Sequence, residues 1–347
     1  RQLDAGAWGI SFGNVFQLAV GVAAGVRRAL IPNQVMDAAD LAAINKLRAT
    51  HAGLRVVFLV DSLPQLALIE HWFTCRADAQ PFEVLLEIGF TGGRTGCRSE
   101  ADALALARRL HASTAVQFVG IECYEGLWAK GDSTADQEWV TILMDRVDAV
   151  ALQCVEEGLF DGDEVIVSAG GSAIFDLVAA RLNPSLGRPV LPLLRFCFND
   201  TATTEIYTRM LQAMAPRLGC DCGDALRPAL EVWALVQSRP EPGLAIVGAG
   251  KRDLSFDMGL PTPIARAAPG VLLSQLVPTG WRIDGLNDQH AYLRWDATDA
   301  ALDALAPVVG ERIGLGISHP CTTFDKWRWM PVVEADYRVS DAISIDF

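Results

Sequence analysis

The chain is poor in lysine. Among its 347 residues the lysines are Lys46, Lys130, Lys251 and Lys326, and no Lys/Arg-rich run forms anywhere. With a formal net charge of −13, this argues against a nucleic-acid partner and against a polybasic membrane-surface patch. No apolar run reaches the roughly 18 residues needed to span a bilayer. A basic-then-apolar leader pattern is missing from the N-terminal stretch, so secretion has no support. Eight cysteines are present, at 75, 97, 123, 154, 197, 220, 222 and 321. Most sit inside apolar, strand-like runs, where a free thiol acts as a small hydrophobe. Cys220 and Cys222 (GCDCGD) have no second pair to complete a metal site, so they read as ordinary loop thiols. A reduced, cytoplasmic protein is expected.

What the chain does have is apolar mass: half of its residues are hydrophobic and a fifth are charged. This composition builds a large core and excludes a disordered chain. Short β-rich runs alternate with helical ones. Strands are expected at 8–12, 28–33, 54–60, 83–90, 115–123, 164–170 and 189–197, with helices such as 37–49 and 99–113 between them. The second of these helices opens on Ser99 as N-cap, with acids in its first turn. Repeated strand–helix units predict right-handed crossovers and a parallel sheet.

Seven strands are one short of a closed (β/α)8 barrel. Arg1 stands in place of an initiator Met, and RQLDAGA reads as the middle of a helix. A first strand upstream of Arg1 is therefore expected to complete the barrel. The competing architecture, an open doubly wound sheet, would carry G-x-G-x-x-G after its first strand, and that motif is absent there. After about residue 228 the texture becomes rich in Val, Ile, Trp and Tyr, with frequent Gly and Pro. The expected division is an α/β TIM-like barrel over 1–228 and a mainly-β domain over 229–347.

Four stretches could carry chemistry. SAGGSAIFD (168–176) follows a strand; Gly170, Gly171 and Ser172 lead into a helix start and either bind an anion or form a plain βα turn. With a strand upstream of Arg1, this loop follows the seventh strand, where barrels frequently hold phosphate. GFTGGRTGCRS (89–99) surrounds Arg94 with glycines at a strand's C-terminal end. Its guanidinium is either an oxyanion donor or a solvated loop arginine. In ECYEGLW (122–128), Tyr124 either meets a bound ring or packs under a loop. SHPCTTFDKW (318–327) sets His319 and Cys321 two residues apart around a proline. Imidazole plus thiolate suits zinc, with positions left open for water or substrate. A turn between strands, or Cys321 as a nucleophile, are the other readings.

These stretches, together with ALIPNQV (29–35), LNDQHAYL (286–293) and YRVSDAI (337–343), resemble the D-serine dehydratase/D-threonine aldolase family across nearly the whole chain. The resemblance implies a pyridoxal phosphate enzyme of the alanine-racemase-like fold (fold type III), usually a homodimer. By it, Gly170, Gly171 and Ser172 would hold the phosphate, Arg94 would face the cofactor's phenolic oxygen, and Tyr124 would lie near the ring. His319 and Cys321 would bind Zn2+; the aldolase branch has an acidic residue at the cysteine position. The family's Schiff-base lysine lies on the first barrel strand, so it is expected upstream of Arg1. LLRFCFND (193–200) departs from the family, with Phe196 and Phe198 where a small residue and a tyrosine are usual. The implied activity is dehydration of a D-β-hydroxy amino acid, D-serine first, to pyruvate and ammonia. The alternatives are retro-aldol cleavage of D-threonine, D-3-hydroxyaspartate as substrate, or a non-catalytic protein that binds pyridoxal phosphate or an amino acid.

Overall fold

A computed structural model describes residues 3, 6–125, 133–170, 175–195, 230–257, 259–271, 274–317, 320–334 and 336–344. The chain divides into two compact units, Arg1–Asn199 and Asp200–Phe347. The boundary expected near residue 228 lies outside the described residues.

All seven expected strands of the first unit are present. They are β1 (Ile10–Ser11), β2 (Arg28–Gln34), β3 (Arg55–Val60), β4 (Phe82–Ile88), β5 (Val116–Cys123), β6 (Val165–Ala169) and β7 (Val190–Leu194). Each is hydrogen-bonded to the next in sequence order, and every pairing is parallel. A doubly wound sheet would reverse its order at a switch point; this one does not.

The helices between the strands are α1 (Val15–Ala23), α2 (Ala38–Thr50), α3 (Leu63–Thr74), α4 (Glu100–His111), α5 (Ser133–Glu156) and α6 (Phe175–Ala179). Asn14, Asp37 and Ser99 cap α1, α2 and α4 by accepting from an amide of the first turn, each cap contributing about 1 kcal/mol. The start differs from the reading of the sequence. Gly6 has a left-handed φ of +91°, which an α-helix does not contain, and its amide donates to Leu3 O.

Alternation along the strands separates two cores. One face, with Ala29, Ile31, Val56, Phe58, Val84 and Phe118 among its side chains, packs with the helices. The other presents Leu30, Val57, Leu59, Leu85, Val119 and Ile166, with Leu191 and Leu193 against them. These side chains come from β2 through β7 and form one cluster. A sheet achieves that by curling around them, as in a TIM-like barrel. The curl brings two backbones close at β5, where a Cβ on Gly120 would overlap Ile166 O.

The second unit is a seven-stranded sheet in the order β11-β10-β14-β8-β9-β13-β12, paired antiparallel. Its strands are β8 (Glu231–Glu241), β9 (Leu244–Val247), β10 (Thr262–Ala267), β11 (Gln275–Leu276), β12 (Arg282–Leu286), β13 (Ala291–Arg294) and β14 (Arg312–Gly316). A hairpin of β15 (Trp329–Val333) and β16 (Val339–Ser344) follows. The YRVSDAI stretch has a structural part in this unit. Tyr337, at φ +61°, donates its hydroxyl to Glu231 Oε2 at 3.0 Å and meets the Trp233 ring edge-on at 5.0 Å. Among the described residues no helix is long and apolar enough to cross a membrane.

Candidate functional site

The inner face of the parallel sheet is apolar in its lower layer, through Val57, Leu59, Leu85, Ile166 and Leu193. Two residues further along the same alternation it turns polar. Asp61 follows Leu59, Glu87 follows Leu85, Ser168 follows Ile166 and Arg195 follows Leu193, while Glu122 stands level with Glu87 in the β4–β5 register. All five are buried, as is Gln34 at the end of β2. Function in barrels is built at this C-terminal end of the strands.

The charges of this layer are unevenly paired. Arg195 forms an ion pair with Glu122, and Gln34 donates an amide hydrogen to Glu87 Oε2. Thr95 donates its hydroxyl to Glu87 Oε1 at 2.6 Å. Burial, aided by the facing Glu122 and Asp61 and opposed by Arg94, pushes the Glu87 carboxyl up to about 8. Burial also raises Glu122, against the pull of Arg195 and Arg94. The Cys97 and Cys123 thiols are driven well above their ordinary range, first by burial and then by the neighbouring carboxylates. Neither is therefore a nucleophile.

The glycine-rich loop after β4 is rigidly built. Arg98 donates to four of its carbonyls, those of Gly93, Arg94, Thr95 and Gly96, at 2.7–3.1 Å. Asp61 Oδ2 accepts from the Gly96 amide at 3.0 Å. Arg146 of α5 donates to Gly89 O and Arg98 O, and its guanidinium lies 3.9 Å from the Phe90 ring centroid. Gly96 (φ +94°) has to be glycine, since a Cβ there would lie 2.5 Å from Gly89 N. This architecture presents Arg94, whose guanidinium carbon sits 4.7 Å from the centre of the Tyr124 ring. Both residues line a shallow cleft, open to solvent, with Glu87, Phe90, Thr95 and Trp139.

The expected site residues are thus partly assembled. Arg94 and Tyr124 meet. Gly170 ends β6 with φ +126°, and its amide donates to Glu125 Oε2 at 3.1 Å. That backbone hydrogen is therefore engaged by a carboxylate, an anion held where the phosphate is expected. Gly171, Ser172 and His319 lie outside the described residues, as do the Cys321 side chain, Phe196 and Phe198. The backbone of Cys321 belongs to a short helix, Pro320–Phe324. That helix is fixed from within its own unit. Thr322 donates to Asp257 Oδ1 at 3.0 Å, and the Ser255 amide donates to Thr323 Oγ1 at 3.2 Å. The LNDQHAYL stretch forms the β12–β13 turn, where the Lys251 and Arg252 amides donate to Asn287 O and Asp288 O. Among the described residues no group of three or more His, Cys, Asp or Glu could hold a metal ion. None of the described lysines stands on the inner face of the parallel sheet: Lys46 lies on α2, and Lys251 and Lys326 belong to the second unit, beside Phe256.

Sequence reasoning misses Glu87, Glu122, Arg195 and Arg98. For the two glutamates a signal exists, as charged residues inside otherwise apolar runs.

Comparison with known proteins places the chain. Residues 229–333 match the family described as "Putative serine dehydratase domain". A D-threonine aldolase from Arthrobacter sp. is 26% identical over 332 residues, covering 94% of this chain and 75% of that protein. The chain is thus similar to the D-serine dehydratase/D-threonine aldolase family, in its C-terminal part through the matched domain and over most of its length through this relative. Aldolases and dehydratases, the activities named for such relatives, are lyases. A 3-hydroxy-D-aspartate aldolase from Paracoccus denitrificans (strain Pd 1222) is 26% identical over 245 residues, 68% of this chain and 57% of that protein. The crystal structure of D-threonine aldolase from Filomicrobium marinum aligns over 99% of this chain and 83% of that one, with 24% identity and a TM-score of 0.48.

The inner face has room in its hydrogen bonding for a polar ligand. Arg94 Nε, Glu122 Oε2, Ser168 Oγ and Gln34 Oε1 are buried without a hydrogen-bond partner. A polar group bound at this face could satisfy them. An arginine donor beside an aromatic ring, over an inner face too polar to pack on itself, suits a flat group bearing an oxyanion. In these terms the described residues fit pyridoxal phosphate.

Proposed function

We propose that this chain is a pyridoxal phosphate- and zinc-dependent lyase acting on a D-β-hydroxy amino acid, with dehydration of D-serine to pyruvate and ammonia as its reaction. The observation that carries the reading is the family match over 229–333, a stretch that contains both His319 and Cys321. Retro-aldol cleavage in the same site is the second reading, favoured by the names of the two relatives above. Cys321, in place of an acid, tilts the balance to dehydration. D-3-Hydroxyaspartate, a substrate type named in one relative, is the next substrate to test. A cytoplasmic homodimer is part of the proposal.

Pyridoxal phosphate, when bound, supplies an electron sink for charge left on the substrate's α-carbon. Arg94 would donate to the ring's oxyanion, its plane steadied by the Tyr124 face. Gly170, Gly171 and Ser172 would hold the phosphate, which requires Glu125 to yield or share the Gly170 amide. The Arg195–Glu122 pair lies buried in the polar layer of the inner face, above the apolar side chains. His319 and Cys321 form a borderline-soft donor pair, and zinc held by them would supply Lewis acidity for a leaving oxygen.

The test is product analysis. The protein, loaded with pyridoxal phosphate and zinc, is offered D-serine, D-threonine and D-3-hydroxyaspartate. Pyruvate plus ammonia from D-serine supports the proposal. Glycine plus an aldehyde from D-threonine, with D-serine untouched, transfers it to the aldolase reading. Spectral binding of pyridoxal phosphate without turnover of any of these substrates would leave a binding protein.

A further inference from the structure

A guanidinium serves as a fixed oxyanion donor only if the loop beneath it is fixed. Residues 93–96 belong to no helix or strand, so no regular ladder orients Arg94. Arg98 and Asp61 hold the loop's backbone, as described above. Thr95, the residue next to Arg94, is 4% exposed and spends its hydroxyl on Glu87. The other oxygen of Glu87 accepts from Gln34. One carboxyl group therefore links β2, β4 and the loop.

We infer that Glu87 is a positioning residue for Arg94, acting through Thr95, and that it works as a neutral acid rather than as a counter-ion. The inference rests on the reading of Arg94 as the oxyanion donor. The groups facing Glu87 argue for the neutral form. Asp61 comes from the end of β3 and Glu122 from β5; Arg94 comes from the loop, and Arg195 is already paired with Glu122. Asp61 and Glu122 together already balance Arg94 and Arg195, so an ionised Glu87 would leave this buried group of charges one negative. Gln34 suits either state of Glu87. Its amide nitrogen donates to a carboxylate, and its oxygen, buried and without a partner, would accept from an acid if the amide turned over. The shift of Glu87 to about 8 points the same way.

The consequence is a distinction between three variants. Thr95→Val keeps the shape and removes the hydroxyl. Thr95→Ser keeps the hydroxyl. Glu87→Gln removes the charge while leaving an acceptor for Thr95 and a partner for the Gln34 amide. Two readouts apply to the apo chain: hydrogen exchange of a peptide spanning 89–98 without ligand, and titration with pyridoxal phosphate followed by tryptophan fluorescence. Thr95→Val is expected to speed exchange and to weaken pyridoxal phosphate by about tenfold each, the size of one lost buried hydrogen bond. Thr95→Ser should restore both. Glu87→Gln should stay within about twofold of the parent at pH 7 and lose the weakening the parent shows above about pH 8. Parental exchange in Thr95→Val would overturn the inference. So would a Glu87→Gln variant as loose as Thr95→Val at pH 7, since the charge would then matter. Arg94→Met separates the two levels: if it binds pyridoxal phosphate as the parent does while Thr95→Val still loosens the loop, the oxyanion reading falls and the strut stands.

Discussion

Arg195 and Glu122 are joined across β6, over Ser168, inside a parallel sheet. Arg195 also reaches Cys123 O at 3.3 Å, and both partners are shut from water, at 6% and 0% exposure. Desolvating such a pair costs as much as its attraction returns, so it contributes little net stability while intact. Its second effect is asymmetric: removing either partner leaves a bare charge.

Arg195→Met should therefore destabilise the first unit by about 3–5 kcal/mol, a large share of a typical total of roughly 5–15 kcal/mol. Glu122→Gln in the Arg195→Met background should recover part of that loss, because the stranded carboxylate is gone. Urea unfolding of the single and double variants measures both. Additive losses would show that the two side chains do not share an interaction.

Glu87 sets a pH dependence of known sign. Its carboxyl is raised from 4.5 to about 8, so the folded chain binds a proton that the unfolded chain releases. That contribution is fully present below about pH 4.5 and is lost as pH rises towards 8. The melting temperature of the parent, compared with Glu87→Gln, should fall progressively over this window, the gap being widest at its alkaline end. A gap constant with pH would mean that Glu87 is ionised in the fold.

The barrel is legible in the sequence because its strands are set by composition and punctuation. LRVVFLV and EVIVSAG are β-branched, short and bounded by turn residues, and Ser99 and Asp37 announce their helices. The polar layer is not legible. Glu87 and Glu122 read as single polar interruptions of apolar strands, and nothing local says that both face inward, level with each other and with Arg195. Parity along each strand is visible, but which parity faces inward depends on the curl of the sheet. Arg94 and Arg98 pose the same difficulty. Both sit in one glycine-rich loop, and only the fold reveals that Arg98 satisfies the loop's carbonyls while Arg94 is presented to the cleft. In β10 the signal is masked by Pro263, which interrupts a strand-like run, yet the strand forms and bulges there.

Gly170 tests the phosphate loop from the backbone side. Its φ of +126° is a region L side chains rarely adopt, and a Cβ would overlap Arg195 O and lie 2.7 Å from Arg195 N. Both obstacles are backbone, so they cannot swing aside. Gly170→Ala is expected to cost about 1–3 kcal/mol through strain alone and to disturb the Arg195–Glu122 pair. Thermal unfolding and pyridoxal phosphate titration should both register it. An unchanged melting temperature would show that β6 and β7 can separate at no cost.

The proposed metal ligands His319 and Cys321 yield the last prediction, and it separates binding from turnover. A site built on one imidazole and one thiolate, with the remaining positions left to water or substrate, should hold about one zinc per chain and release it to a chelator. His319→Ala and Cys321→Ala should each lower the zinc content measured by elemental analysis. Cobalt gives a sharper readout, since a thiolate ligand to cobalt produces a charge-transfer band in the near ultraviolet that an imidazole or carboxylate ligand does not. Cys321→Asp should therefore keep a metal ion while losing that band, and if Cys321 is what tilts the site towards dehydration, the same variant should shift products from pyruvate towards glycine. Parental zinc content in both alanine variants would remove His319 and Cys321 from the metal site, whatever the activity of the protein.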